Sequence, residues 1–455
     1  MRGVLGFLVG VAVVLFLAAS SLGGEDLSAL VKKFNEASQA QDWAAACAVV
    51  KEIGALNDEK AVKVLIETAL TIENSQVFKA SKEALTSITD KEAISYMCKQ
   101  ALKHSKWEVR ALLTEIIGKK DSDEAFETLI EVIKDHKNRP EVHLEAIRAL
   151  KAKGKKEAMD ALIDLLAKVE DEKGTLWVEL RKTLTEFTGR DFAKAADWRA
   201  RKEELKAEGK PNEPSEPPKE TGKPGEPRTT LVDEIRKAPK FFGAEVLSRK
   251  ILFIIDCSTS MQAKDPVMAG PEGGKAQPPQ GGSGKTDSWG GDPSLPDDRK
   301  RMTRVKSELK KCIAAMDPRT KFNIISFATT VNPWKPNLIL ATAQNKQEAL
   351  AWVDTMTHNG WTHTDEAFKT AFGDKEFDTI YFLSDGQPMK TSGMVPAETV
   401  LEFVRNANKV RKVKINTFGF ANAKSAQGAM NAQEMMKLLK GLAEESGGKF
   451  TDIYW

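Results

Sequence analysis

The stretch Lys250–Met261, KILFIIDCSTSM, decides the fold. A run of β-branched and large apolar side chains, Ile251 to Ile255, stops at Asp256 and is followed by Ser258 and Ser260. An uninterrupted apolar run bounded by polar residues predicts a strand buried on both faces of a parallel sheet. The carboxylate then sits where the strand ends, and open α/β sheets bind ligands at that carboxyl edge. One carboxylate and two hydroxyls at alternate positions aim three oxygens at one small volume. Hard divalent cations favour such donors, and Mg²⁺ in particular keeps an octahedral shell with one or two carboxylates. Alone, the D-x-S-x-S string is weak, because Asp and Ser are common turn and cap residues.

Two later stretches strengthen it. Gly360-Trp361-Thr362-His363-Thr364-Asp365 opens a helical segment and offers another hydroxyl. Phe377–Gly386, FDTIYFLSDG, is a second apolar run, ending in Asp385 just before a glycine. In this order the three stretches resemble the von Willebrand factor type A (VWA) family with its metal-ion-dependent adhesion site. The resemblance spans residues 246–455 and implies an α/β doubly wound, mostly parallel, Rossmann-like sheet. It implies metal ligands at Asp256, Ser258, Ser260, Thr362 and Asp385, and Mg²⁺ or Mn²⁺ as the cofactor. One departure stands out: Thr259 occupies a position that is usually Gly. If that loop needs φ > 0, Thr259 is strained and the site is degenerate.

Three neutral hydroxyls and one directly bound Asp256, with Asp385 acting through water, leave a bound cation net positive with an open position. A partner's Asp or Glu carboxylate is the natural sixth ligand. The expected function is therefore an exported, metal-dependent protein-binding protein, in adhesion or assembly, and not an enzyme. The alternative is a structural scaffold that binds through its helical half and holds no metal. Enzymatic signatures are missing: no nucleophile–His–acid set and no H-E-x-x-H occurs. Gly284-Lys285-Thr286 lacks the strand and helix of a phosphate loop. His358 and His363 flank Thr362, but two nitrogens do not make a zinc site. Trp361 is a candidate rim aromatic for a partner.

Outward from this core, the rest of 246–455 alternates as a doubly wound sheet should. Strands are expected at 321–328, 377–384, 414–420 and 449–454, with helices at 299–316, 346–356, 364–372, 397–411 and 432–445. Between motif and first helix lies a Gly/Pro-rich insertion, 263–298, expected to be disordered or functional. The linker at 206–245, with KAEGKPNEPSEPPKETGKPGEP at its centre, is too poor in apolar surface to order itself. Residues 25–205 show helical periodicity and an internal repeat marked by Val77, Val109 and Val142, 32 and 33 positions apart. That period resembles HEAT repeats and implies an all-α solenoid whose stacked units share one core, with a second protein partner possible on its face. Arg2, then an apolar stretch and small residues to Gly24, has the layout of an export signal or N-terminal anchor at 1–24. Periplasmic, extracellular or cell-surface residence follows. A net charge of +3 over 455 residues, without a basic block, argues against nucleic acid. Four cysteines are too few for a disulfide scaffold, and a Cys257–Cys312 bridge stays open.

Overall fold

The computed structural model describes residues 27–207, 230–265, 294–295, 297–420 and 426–453. The expected signal or anchor at 1–24, linker residues 208–229 and insertion residues 266–293 lie outside the described residues. The chain divides into two compact units, Met1–Ala161 and Leu162–Trp455.

Every described element of the first unit is helical: α1 (Leu27–Gln39), α2 (Trp43–Ala55), α3 (Glu59–Thr71), α4 (Ser75–Ser87), α5 (Lys91–Lys103), α6 (Trp107–Gly118), α7 (Asp123–Lys134) and α8 (Pro140–Lys153). A 3₁₀ turn and α9 (Met159–Val169) lead across the boundary. Helices α2, α4, α6 and α8 stack in one row and α3, α5 and α7 in another, the two-layer solenoid that the repeat implies. The marker valines Val77, Val109 and Val142 are all buried. Side-chain caps start the helices, with Asp58, Asn74 and Asp90 accepting from backbone amides at α3, α4 and α5. Equivalent glycines let neighbours approach: a Cβ on Gly54 would meet Ala84 Cβ at 2.8 Å, and one on Gly118 would meet Ala149 Cβ at 2.6 Å. At the end of α4, the buried Lys120 ammonium donates to the carbonyls of Leu85 (3.0 Å), Thr86 and Ile88. These include carbonyls that a helix end leaves without partners.

The second unit opens with α10 (Thr175–Thr188), α11 (Ala195–Ala207) and α12 (Leu231–Lys237), then a hairpin of β1 (Lys240–Phe241) and β2 (Ala244–Glu245). The linker drawn at 206–245 therefore ends earlier than its composition suggested. Phe241 is the reason, since its ring is wholly buried and stacks edge-on to Phe253 and Phe418 in the sheet core. Burying a ring of that size contributes about 2–3 kcal/mol, enough to order a short hairpin.

The main sheet runs β11–β10–β7–β3–β4–β5, with β6 also on β4. Its strands are β3 (Lys250–Asp256), β4 (Lys321–Phe327), β5 (Val331–Pro333), β6 (Ile339–Leu340), β7 (Thr379–Ser384), β10 (Lys414–Gly419) and β11 (Phe450–Asp452). Pairings among β11, β10, β7, β3 and β4 are parallel, and β5 and β6 join β4 antiparallel. The helices around it are α13 (Arg301–Ala315), α14 (Ala343–Thr355), α15 (Thr364–Gly373), α16 (Ala397–Asn408) and α17 (Ala426–Ser446). Alternation along β3 sends Ile251, Phe253 and Ile255 into one core and Leu252 and Ile254 into the other. Strands β3 and β7 thus lie centrally, and both carboxyl ends, Asp256 and Ser384–Asp385, reach one edge. A second hairpin, β8 (Met389–Lys390) and β9 (Gly393–Met394), follows β7.

At the opposite edge, the partly buried Asp378 accepts from Thr175 Oγ1 (3.2 Å), Thr379 Oγ1 (2.9 Å) and Ser248 Oγ. This carboxylate ties α10 to the sheet, and burial raises its pKa.

Candidate metal centre

Strand β3 delivers Asp256 with no exposure at all. Its Oδ1 accepts from the Ser258 amide at 2.7 Å and its Oδ2 from Ser384 Oγ at 2.5 Å. The chain then turns through a 3₁₀ segment, Thr259–Gln262. The Ser258 and Ser260 hydroxyls lie 3.0 Å apart, and Ser260 Oγ donates to Asp385 Oδ1 at 2.6 Å. Ser260 gives its one proton to Asp385, so Ser258 is the donor within the serine pair. Thr362 enters from the loop before α15 and is buried. A Cβ on Gly386 would lie 3.4 Å from Thr362 Oγ1 and 3.7 Å from Ser260 Oγ, so a glycine keeps that space clear. All five expected ligands, Asp256, Ser258, Ser260, Thr362 and Asp385, are thereby brought to one place.

The donor set fits a hard divalent cation. Where a hydroxyl proton points at a carboxylate, the hydroxyl oxygen keeps its lone pairs for a cation. Burial first, and the Asp385 charge second, push the Asp256 carboxyl above its ordinary value. A dication beside it would reverse that pressure. Among the described residues no group of three His, Cys, Asp or Glu side chains is placed to hold a metal ion. Cys257 points into the apolar core, and both it and Cys312 are buried free thiols, not a disulfide.

Thr259 is not strained, because it is not among the residues with positive φ. Instead its hydroxyl accepts from the Gly360 amide (2.9 Å) and donates to the Gly360 carbonyl (3.2 Å), while its own amide reaches the same carbonyl at 3.2 Å. The side chain that departs from the family pattern clamps the loop carrying Thr362. Gly360 itself has φ +89°, and a Cβ there would meet Thr329 Oγ1 at 2.2 Å. Two conditions make it a glycine.

Several members of the site are invisible to motif reading. Arg301, buried at the start of α13, donates to Asp385 Oδ2 at 2.8 Å and forks Asp265 at 2.9–3.2 Å. Burial opposes its charge, but Asp385 and Asp265 outweigh burial and hold its pKa above the guanidinium norm. Arg304 adds a second contact to Asp265 at 3.4 Å. Asp256, Asp265 and Asp385 against Arg301 and Arg304 leave one net negative charge around the site. Asp265 lies at the start of the insertion, whose described ends are joined by a Lys264–Lys300 bridge and by Lys264 Nζ to Leu295 O at 2.7 Å. Beyond Asp385, Gln387 Oε1 is buried without a hydrogen-bond partner.

A mostly parallel sheet with an oxygen cluster at its carboxyl edge defines a VWA-type domain. Residues 296–452 match the family model of the von Willebrand factor type A domain and residues 96–177 match that of HEAT repeats. The chain carries both modules. The first match begins at the end of the insertion and leaves out β3, so Asp256, Ser258 and Ser260 join the site through the pairing of β3 with β4 and β7. The chain is 30% identical over 132 residues to human von Willebrand factor A domain-containing protein 3B, covering 29% of this chain and 9% of that protein. It is 31% identical over 122 residues to human inter-alpha-trypsin inhibitor heavy chain H6, covering 24% of this chain and 9% of that protein. It therefore spans about a tenth of the length of these relatives. Among solved structures, a von Willebrand factor type A protein from Catenulispora acidiphila aligns at 16% identity and TM-score 0.29, over 46% of this chain and 39% of that one. Both modules belong to families that serve in protein–protein interaction and are typically not enzymes.

Proposed function

We propose that the chain is an exported, cation-dependent protein-binding protein for adhesion or assembly, working at the periplasmic, extracellular or cell-surface side of a membrane. The observation that carries this reading is the convergence of Asp256, Ser258, Ser260, Thr362 and Asp385 on one space that Gly386 leaves open. Asp256 and the three hydroxyls would hold Mg²⁺ or Mn²⁺. Both Asp385 oxygens already accept from Ser260 and Arg301, so Asp385 orients the neighbouring hydroxyl and balances charge. A divalent cation bound there supplies a positively charged coordination position for a partner's Asp or Glu carboxylate. Thr259 and Gly360 fix the Thr362 loop, and the half-exposed Trp361 stands at the rim as an aromatic contact. The helical repeats provide a separate face for a second protein.

Arg301 favours a second, metal-free reading, because it partly neutralises the site without help. Calorimetric titration of Mg²⁺ and Mn²⁺ into the full chain distinguishes them. The proposal expects saturable binding by the wild type and none by Asp256→Ala. Undetectable binding by wild type establishes the metal-free scaffold instead.

A further inference from the structure

Beside the cation loop lies a cleft of about 590 Å³, between β4, α14 and the segment 355–360. Its floor is buried, including Cys257, Ser326 and Met356, and Trp352 forms a half-buried wall. The rim is exposed and carries Thr330, Asn332, Thr357 and Asn359. None of its thirteen lining residues is charged, in a chain that is 29% Asp, Glu, Lys and Arg. A charged ligand would find no counter-charge in the cleft and would lose hydration on entry.

The polar groups that remain available narrow the ligand further. No hydrogen bond involves the Thr357 or Asn359 side chain among the described residues. Asn332 uses its amide nitrogen on Thr330 Oγ1 at 3.2 Å and keeps its oxygen. Hydroxyl and amide groups therefore offer donors and acceptors together around an aromatic wall. Hydroxyl groups on a ligand are likewise both donors and acceptors. The volume lies within the range of small-molecule sites.

We infer that this cleft is a binding site for a neutral saccharide, separate from the cation site and independent of it. The sugar's C–H face lies along Trp352 and its hydroxyls meet Asn332, Thr357 and Asn359. An uncharged peptide segment is the competing occupant.

The test uses the full chain and saturation-transfer NMR. Its probes are methyl glucoside, methyl mannoside, methyl galactoside, N-acetylglucosamine, maltose and cellobiose, with glucuronate and a Gly-Ser-Thr peptide as controls. At least one neutral sugar should bind saturably and equally with Mg²⁺ or EDTA. Asn359→Leu and Asn332→Leu, both at exposed positions, should each weaken it about fivefold, the loss of one ordinary hydrogen bond. Mg²⁺ binding by Asn332→Leu should stay at the wild-type level, which also reports that the domain is folded. No saturable signal from any neutral sugar overturns the inference. So does binding of the peptide alone, or sugar binding that both variants retain in full. Loss of sugar binding in EDTA would move the site to the cation instead and overturn its independence, whereas a failed Mg²⁺ titration alone leaves the cleft untouched.

Discussion

Replacing Thr259 by Val keeps the side-chain shape and deletes both of its contacts with Gly360. The Gly360 carbonyl retains a partner in the Thr259 amide, but the Gly360 amide loses its acceptor at 2.9 Å. Leaving a donor without its partner costs about 1–3 kcal/mol, so the loop should loosen by about 2 kcal/mol. Two compact units make a single global unfolding energy ill-defined, so the assay is local. Hydrogen exchange of peptides covering 356–365 should accelerate about 30-fold in Thr259→Val, while Thr259→Ser stays near wild type. Because Thr362 rides on this loop, Mg²⁺ affinity should fall about tenfold in the same variant. Unchanged exchange in Thr259→Val would refute the clamp. Accelerated exchange with unchanged Mg²⁺ affinity would instead separate the loop from the ion.

Arg301→Gln leaves Asp265 and Asp385 buried without their shared cation, which should cost about 3–5 kcal/mol. Mg²⁺ should then raise the melting temperature more in this variant than in wild type, as read by thermal scans with and without the ion. Gly360→Ala combines a positive φ with a collision at Thr329 Oγ1. It should destabilise the loop by about 1–3 kcal/mol, and shortening Thr329 to Ala should relieve the collision but not the backbone strain, as hydrogen exchange would report. Asp378 has a raised folded-state pKa, so its stabilising contribution is full below the ordinary carboxyl value and is lost as pH rises through the folded one. Asp378→Asn should therefore gain on wild type in melting temperature as pH rises above the ordinary carboxyl range, and a gain on acidification would contradict the raised pKa.

What the sequence disclosed followed from periodicity. Short apolar runs at 251–255 and 380–383, rich in β-branched and aromatic residues, read as interior strands, and the polar residues that end them inherit the sheet's carboxyl edge. Asp256, Ser258, Ser260 and Asp385 could be placed at that edge for this reason, whereas Thr362, in the loop before α15, was singled out only by the family resemblance. Arg301 was not, because it stands 84 positions from Asp385 and only the fold closes that distance. Thr259 was misjudged in the other direction, since a residue type suggests strain but only the backbone angle decides it. Phe241 looked like part of a linker because two-residue strands carry no alternation to read. Among the helices, nothing local in the sequence marks Lys120 as the lysine that the carbonyls of Leu85, Thr86 and Ile88 surround.

The Lys264–Lys300 bridge has an architectural consequence. Lys264 follows the 3₁₀ turn after β3 and Lys300 immediately precedes α13, so the bridge closes off the intervening chain as a branch. Closure entropy grows only slowly with loop length, about 0.6 kcal/mol per doubling, so that branch can be lengthened, trimmed or exchanged at little expense to the frame. Asp265, next to the bridge, shares Arg301 with Asp385, so one end of that branch is tied to the carboxyl edge of the sheet.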